Sequence, residues 1–338
     1  MTLLWFVSAA AAISFGLCWI LLPLLRRVAL AKPGSRSSHR EPTPQGGGIA
    51  VIAATFLVTL AAVMASPEGV DWIGRLGLVI LAALVLAILG AIDDVRPMPV
   101  LPRLILQVVA VGMIAASVPH AEALQAIGVP PAVQWFVVTL MGVWFVNLTN
   151  FIDGLDWLTV ASFVPATATL AILGFLDVLN PADAIIAAAL CGAVLGFAPL
   201  NRPVARLFLG DVGSLPMGLL LAYLLLRLAA EGHVVAALLI PAYSCADATL
   251  TLLRRAFRGE KVWQAHRSHF YQRATDHGFS VLEVSAHVFV LALFLSGLAI
   301  MTVVWSSFAV QAMALVIGGV AVASLLLRFS RPRRITAP

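Results

Sequence analysis

The chain has 338 residues, of which 61% are hydrophobic and only 11% charged, with a formal net charge of +5 and a mean hydropathy of +1.01. Soluble domains carry about 25% charged residues, so the composition excludes an ordinary soluble globular protein. It predicts an all-α polytopic integral membrane protein, because in lipid backbone polar groups must be satisfied within the segment. No run of about ten residues alternates apolar and polar in the manner of a membrane β-barrel strand.

In chain order, the apolar runs predict transmembrane helices at 3–24, 48–65, 73–92, 102–119, 133–149, 158–176, 183–200, 213–230, 232–250, 284–305 and 308–327. That is eleven. The tight connection at Glu231-Gly232-His233 leaves ten as the alternative, should the two helices around it form one broken element. The first run lacks a basic leader and is followed by Arg26-Arg27, so it reads as a retained helix rather than a signal peptide. Cys18, Cys191 and Cys245 lie in apolar surroundings without metal or disulfide spacing and read as small buried hydrophobes. With the N-terminus outside, 19 of the 21 Lys and Arg residues fall on inside segments, leaving Arg75 and Arg227 outside. By the positive-inside rule the C-terminus is then cytoplasmic. No internal repeat interrupts this pattern, so residues 1–338 read as a single membrane domain. Its polar chemistry lies on the cytoplasmic loops 26–47, 93–103, 147–157, 201–214 and 251–283.

Five carboxylates mark those loops. Asp93 and Asp94 follow the third helix as an adjacent pair, which coexists most easily beside a divalent cation or a cationic substrate group. Asn147, Asn150, Asp153 and Asp156 are spaced by three and share one face if the helix continues through them. Asp211 stands between Gly210 and Gly213, with Ser214 a candidate N-cap. Such acids at the edge of hydrocarbon are costly and mark function. The segment 251–283 adds Arg254, Arg255, Arg258, Lys261, His266, Arg267, His269 and Arg273. Arg36, His39 and Arg40 stand in the first loop. These are donors suited to phosphate, although a basic patch drawn to anionic lipid is the simpler alternative. The physical class is phosphate chemistry at a membrane surface.

Five motifs in order resemble the polyprenyl-phosphate N-acetylhexosamine-1-phosphate transferase superfamily, glycosyltransferase family 4. They are Ser38-His39 with Pro42-Thr43-Pro44 and Gly46-Gly47-Gly48; Asp93-Asp94; Asn147 to Asp156; Gly210-Asp211-Val212-Gly213-Ser214; and His266-Arg267-Ser268-His269. The resemblance implies a bacterial inner-membrane enzyme that transfers a sugar-1-phosphate from a UDP-N-acetylhexosamine to undecaprenyl phosphate, releasing UMP, with Mg²⁺ or alternatively Mn²⁺. It implies Asp211, joined by Asp153, as metal ligands, and Asp93, Asp94, Asp153 and Asp156 as catalytic acids, one of the first pair deprotonating the lipid phosphate. Asn147, Asn150, His266, Arg267, His269, Arg36 and His39 are the implied substrate-binding residues. A second copy of the chain, as a homodimer, is a further candidate partner. Two departures stand out. The family's Asp-Gly pair after the stripe is here Asp156-Trp157, and the consecutive histidines of the peptidoglycan branch are here His-Arg-Ser-His. The second points to the O-antigen branch of lipopolysaccharide synthesis and a simple UDP-sugar such as UDP-GlcNAc.

The rivals are a phospho-MurNAc-pentapeptide transferase and, from another class, a secondary transporter of an anionic substrate. Transporters place polar groups at mid-membrane in repeated broken helices, whereas these acids gather toward one surface. Topology is directly testable. A reporter fused after Pro338 is expected in the cytoplasm and one inserted near Glu68 outside; finding both on one side would refute the map.

Overall fold

The structure, a computed structural model, describes residues 3–31, 41–66, 69–118, 129–264 and 266–333. It is an all-α membrane protein. The helices are α1 (Leu3–Val28), α2 (Gly48–Met64), α3 (Gly69–Val95), α4 (Val100–Ser117), α5 (Pro131–Ile152), α6 (Leu158–Phe175) and α7 (Pro181–Phe197). They continue with α8 (Asp211–Ala230), α9 (Val234–Leu239), α10 (Ala242–Phe257), α11 (Phe270–Asp276), α12 (Val281–Val304) and α13 (Phe308–Phe329). Two short strands, β1 (Leu30–Ala31) and β2 (Thr43–Pro44), pair antiparallel with Leu30 opposite Pro44 and tie the end of α1 to the start of α2.

Among the described residues, seven helices carry stretches long and apolar enough to cross a bilayer, and three shorter ones, Gly48–Met64, Val100–Ala116 and Pro181–Phe197, are apolar as well. These coincide with ten of the eleven expected spans. The ninth is broken: α9 ends at Leu239 and α10 begins at Ala242, beyond Pro241. Proline has no N–H to donate and its ring obstructs the preceding turn, so the helix is interrupted there. The turn at 231–233 separates α8 from α9, with Gly232 at φ 90°.

Two helices form the centre. α7 packs against α1, α2 and α6, and α8 against α3 and α5. Both are apolar all round and buried on nearly every face, as a helix surrounded by others must be. The Ala-rich stretch of α7 lets neighbouring backbones approach closely. The outer faces carry exposed apolar side chains, among them Trp5 and Ile20 on α1, Leu101 on α4, Phe136 on α5 and Val316 on α13. Such a surface is a liability in water and the expected one in lipid.

The end of the bundle expected outside holds one buried ion pair. Asp183, in the first turn of α7, is 0% exposed. It accepts hydrogen bonds from Arg227 Nε (2.9 Å), Tyr223 Oη (2.7 Å) and Asn180 Nδ2 (2.7 Å). Arg227 also reaches Glu231 at 3.2 Å. Arg227, one of the two basic residues expected outside, is therefore neutralised where it stands. Removing one member of a buried pair strands the other charge, at a cost of about 3–5 kcal/mol. Asp183→Ala is accordingly expected to lower the melting temperature in detergent strongly, and Asp183→Asn less. An unchanged melting curve for the alanine variant would show that the pair carries no stability.

Candidate active site

Among the described residues, the loop 41–47 lies against the segment 207–210 leading into α8. Gly46 and Gly47 donate backbone hydrogen bonds to Phe208 O, Gly48 donates to Leu209 O, and Phe208 N donates to Pro44 O. This arrangement fixes Gln45, whose side-chain amide donates to Asp94 O at 2.7 Å. Beside it opens a cavity of about 690 Å³ that draws residues from all five loops predicted to carry the chemistry. They include Gln45, Asp93, Asp94, Arg103, Asn147, Asn150, Asp153, Asp211, Trp263, His266 and His269.

The carboxylates are placed by their partners. Asp94, near the end of α3, accepts from Asp211 N (2.9 Å) and Val212 N (3.1 Å), the first two amides of α8. The helix is thus capped by a side chain from another helix, and Ser214, expected as the N-cap, is instead buried within α8. Two glycines permit this. A Cβ on Gly90 would meet Asp211 O at 2.2 Å, and one on Gly210, at φ +78°, would meet Asp94 Oδ2 at 2.5 Å. Asp93 accepts from Met98 N (2.6 Å) and Arg103 (3.0 Å). Arg103 and the start of α8 place positive charge beside the acid pair, for which the sequence had suggested a divalent cation or a cationic substrate group. Asp211 Oδ1 accepts from Asn150 at 2.6 Å, while its Oδ2 lies 3.9 Å from Arg103. Asn150 also donates to Ser214 at 2.9 Å. Asn147 donates to Gln107, one helix away, at 2.7 Å.

The expected four-residue stripe is shorter than its spacing suggests. α5 ends at Ile152, so Asn147 and Asn150 share its face and Asp153 is its C-cap. Asp153 accepts from the Thr159 hydroxyl at 2.5 Å. Burial pushes its carboxyl up to about 8; the Thr159 bond opposes this, and the charges of Asp211, Asp94 and Asp156 add to it. Asp156 falls beyond the helix end. It is 4% exposed, accepts from Ala205 N at 2.9 Å, and is absent from the cavity wall. Trp157 turns the same way: its backbone N–H donates to Asn201 and its indole to Ala198 O.

The basic segment divides similarly. His266 and His269 line the cavity with ring centroids 4.8 Å apart. Arg267, between them in sequence, is absent from the cavity wall and bonds Asp276 (3.1 Å) and Thr275 (3.2 Å). Arg254 and Arg255, also read as phosphate donors, hold the loop itself. Arg254 donates to Ser268 O, and Arg255, 5% exposed, donates to Glu260 and to the carbonyls of Lys261 and Gln264. Trp263, 68% exposed, stands on that loop at the rim. Arg36 and His39 lie outside the described residues.

Sequence reasoning missed Arg103, Gln107, Gln45, Trp263 and Asp247 as contributors. Asp247 had a legible signal: an acid within an apolar run at 232–250. Among the described residues no group of three or more His, Cys, Asp or Glu is arranged to hold a metal ion. The cavity offers paired hard oxygen donors at Asp211 and Asp153, the donor set from which Mg²⁺ is bound when substrate phosphates and waters complete its shell.

The model of Glycosyl transferase family 4 matches residues 76–229, the stretch running from α3 through nearly all of α8. A decaprenyl-phosphate N-acetylglucosaminephosphotransferase of Mycolicibacterium smegmatis is 29% identical, covering 81% of this chain and 75% of its own. The protein of that name from Mycobacterium leprae is 30% identical, covering 75% and 72%. A phospho-N-acetylmuramoyl-pentapeptide-transferase of a Synechococcus strain is 33% identical over 62% of each chain.

The different settings of the two arginines make a direct test. Arg103→Ala should lower turnover by about 10²-fold, the scale of a lost electrostatic stabiliser. Arg267→Ala should stay within about 3-fold of the parent, since Asp276 and Thr275, which it bonds, are not part of the cavity wall. Equal losses in steady-state kinetics would contradict this division.

Proposed function

The chain belongs to Glycosyl transferase family 4, and on that premise we propose that it transfers N-acetylhexosamine-1-phosphate from a UDP-sugar to a polyprenyl phosphate such as undecaprenyl phosphate, releasing UMP. The observation that carries this reading is the single cavity in which Asp93, Asp94, Asp153 and Asp211 meet Arg103, His266 and His269. Acids there suit a metal-bound diphosphate, and the cations suit its oxygens. An apolar groove of about 250 Å³, lined from α5, α8, α9 and α10 by Met141, Trp144, Leu148, Leu225 and Leu238 among others, fits the isoprenoid chain. Trp144 and Leu148 lie within a turn of Asn147 on α5, so the groove leads toward the polar site.

In this mechanism the lipid phosphate oxygen attacks the β-phosphorus, a new P–O bond forms to the lipid, and the bond to the α-phosphate breaks so that UMP leaves. Arg103 and the two histidines hold diphosphate oxygens as charge shifts onto the leaving group. Asp153 and Asp211 would hold Mg²⁺, which supplies charge neutralisation of the phosphates. Asp93 faces the acceptor phosphate and takes its proton. All four carboxylate oxygens of Asp93 and Asp94 already accept a hydrogen bond; a second lone pair on an Asp93 oxygen takes the proton, and the acceptor phosphate displaces UMP directly. The product would begin a cell-surface polysaccharide at the cytoplasmic membrane, with a simple hexosamine as donor.

The test is UMP release by the purified protein with a polyprenyl phosphate. UDP-GlcNAc or a near relative is expected to react and UDP-MurNAc-pentapeptide not to. A chelator should abolish turnover and Mg²⁺ restore it, and Asp211→Asn should lower it by about 10²-fold or more with the fold intact. Comparable use of the pentapeptide donor would move the protein to the peptidoglycan reaction. No UMP from any UDP-sugar would refute the reading.

A further inference from the structure

Behind the cavity lies a carboxylate for which the mechanism above has no use. Asp247, on α10, is 0% exposed. Five donors converge on it. Oδ1 accepts from Phe270 N at 3.0 Å, meets His269 Nδ1 at 3.1 Å and receives Thr251 Oγ1 at 3.5 Å. Oδ2 accepts from Tyr243 Oη and Tyr271 N, each at 3.1 Å. A buried carboxylate needs such partners, and one surrounded only by donors acts purely as an acceptor.

We propose that Asp247 is a positioning residue for His269, holding its imidazole with Nδ1–H bound to the carboxylate so that Nε2 serves the cavity. The inference rests on the function proposed for that cavity and deepens it. Three observations support it. Nδ1 faces an oxygen that can only accept, so the proton belongs on Nδ1. The ring is fixed on its other sides: it stacks on Tyr271 at 5.5 Å with planes 13° apart, and the Tyr271 hydroxyl is anchored on Phe151 O at 2.8 Å. Finally, His269 lines the cavity although only 3% exposed, so its orientation is set by protein and not by solvent. With Nδ1 engaged, Nε2 is the atom left to meet a diphosphate oxygen, and the carboxylate behind the ring holds the imidazole in that orientation. One competing arrangement exists. His269 is also the N-cap of α11, with its side chain in capping reach of the Gln272 amide, and that role needs a bare Nδ1.

Two measurements decide between them. In ¹⁵N-histidine-labelled full-length protein in nanodiscs, with the His269 signals identified by their loss in His269→Gln, Nδ1 is expected to carry the proton. A bare Nδ1 would overturn the proposal, and this readout does not depend on activity. In kinetics, Asp247→Asn should lower kcat by about 10-fold or more and leave the KM for UDP-sugar nearly unchanged, while His269→Ala should cost about 10²-fold. The double variant should be within about 2-fold of His269→Ala, because Asp247 acts through a ring no longer present. Additive losses, or an Asp247→Asn variant with parental kcat, would overturn it. Failure of the parent protein to release UMP would instead count against the function, leaving the NMR result to judge the positioning. Should Asp247→Asn fail to fold, the tautomer measured in the parent protein decides alone.

Discussion

The carboxylate of Asp94 on the first two amides of α8 is the contact on which the remaining geometry depends. A helix N-terminus leaves four amides without intrahelical partners, and at the edge of hydrocarbon water is scarce. A carboxylate from α3 answers both the missing acceptors and the helix dipole. It can do so only because Gly90 lets α3 approach the backbone of α8 and Gly210 leaves room for the carboxylate. Once that joint is made, Asp211 occupies the first position of α8, facing Asn150 from α5 and Arg103 from α4. Four helices are thereby brought to one point by a single cap.

That joint also sets the electrostatics. Asp94, Asp153 and Asp211 share a confined space with Asp93, and Arg103 is the cation in contact with two of them. Burial is the main reason the Asp153 carboxyl is raised, and the charges of Asp211, Asp94 and Asp156 add to it. On the proposed function, a cation arriving with a diphosphate would relieve that crowding, which would couple affinity for metal to affinity for substrate phosphate. The opposite wall is kept in place by buried polar groups of a second kind. Arg255 binds the carbonyls of the rim loop, and Asp247 binds the start of α11. Neither touches the cavity, yet each fixes residues that do.

Much of this could be read in the chain. Long apolar runs map directly onto spans, because lipid leaves the backbone few alternatives, and the acids at the span ends marked the loops that converge. Less visible was where each helix ends. The spacing of Asn147, Asn150, Asp153 and Asp156 is uniform, but α5 stops at Ile152, which sends Asp156 to Ala205. Side-chain direction in irregular segments was equally hidden: His266 and His269 face the cavity and Arg267 does not. Arg103 and Gln107 gave little signal as single polar residues near a span end, since their meaning depends on which helix packs opposite. Asp247 was visible as an acid within an apolar run, but its task was not: only the break at Pro241 and the folded loop after α10 make it the acceptor for the start of α11.

The same reasoning accounts for Trp157, where the family pattern has glycine. Its φ is +63°, a left-handed conformation that costs an ordinary residue about 1–2 kcal/mol and glycine almost nothing. The glycine in the pattern is thus explained by backbone conformation, with no need for close approach of a ligand. Here the strain is offset by bonds a glycine could make only in part: the backbone N–H donates to Asn201 at 2.8 Å, and the indole donates to Ala198 O at 2.7 Å. Together with Asp156 on Ala205, these contacts join the turn after α5 to the segment before α8. The two stretches that carry Asp153 and Asp211 are therefore locked to each other from behind the cavity. Trp157 thus acts on how the stretches bearing Asp153 and Asp211 are held, from outside the cavity wall.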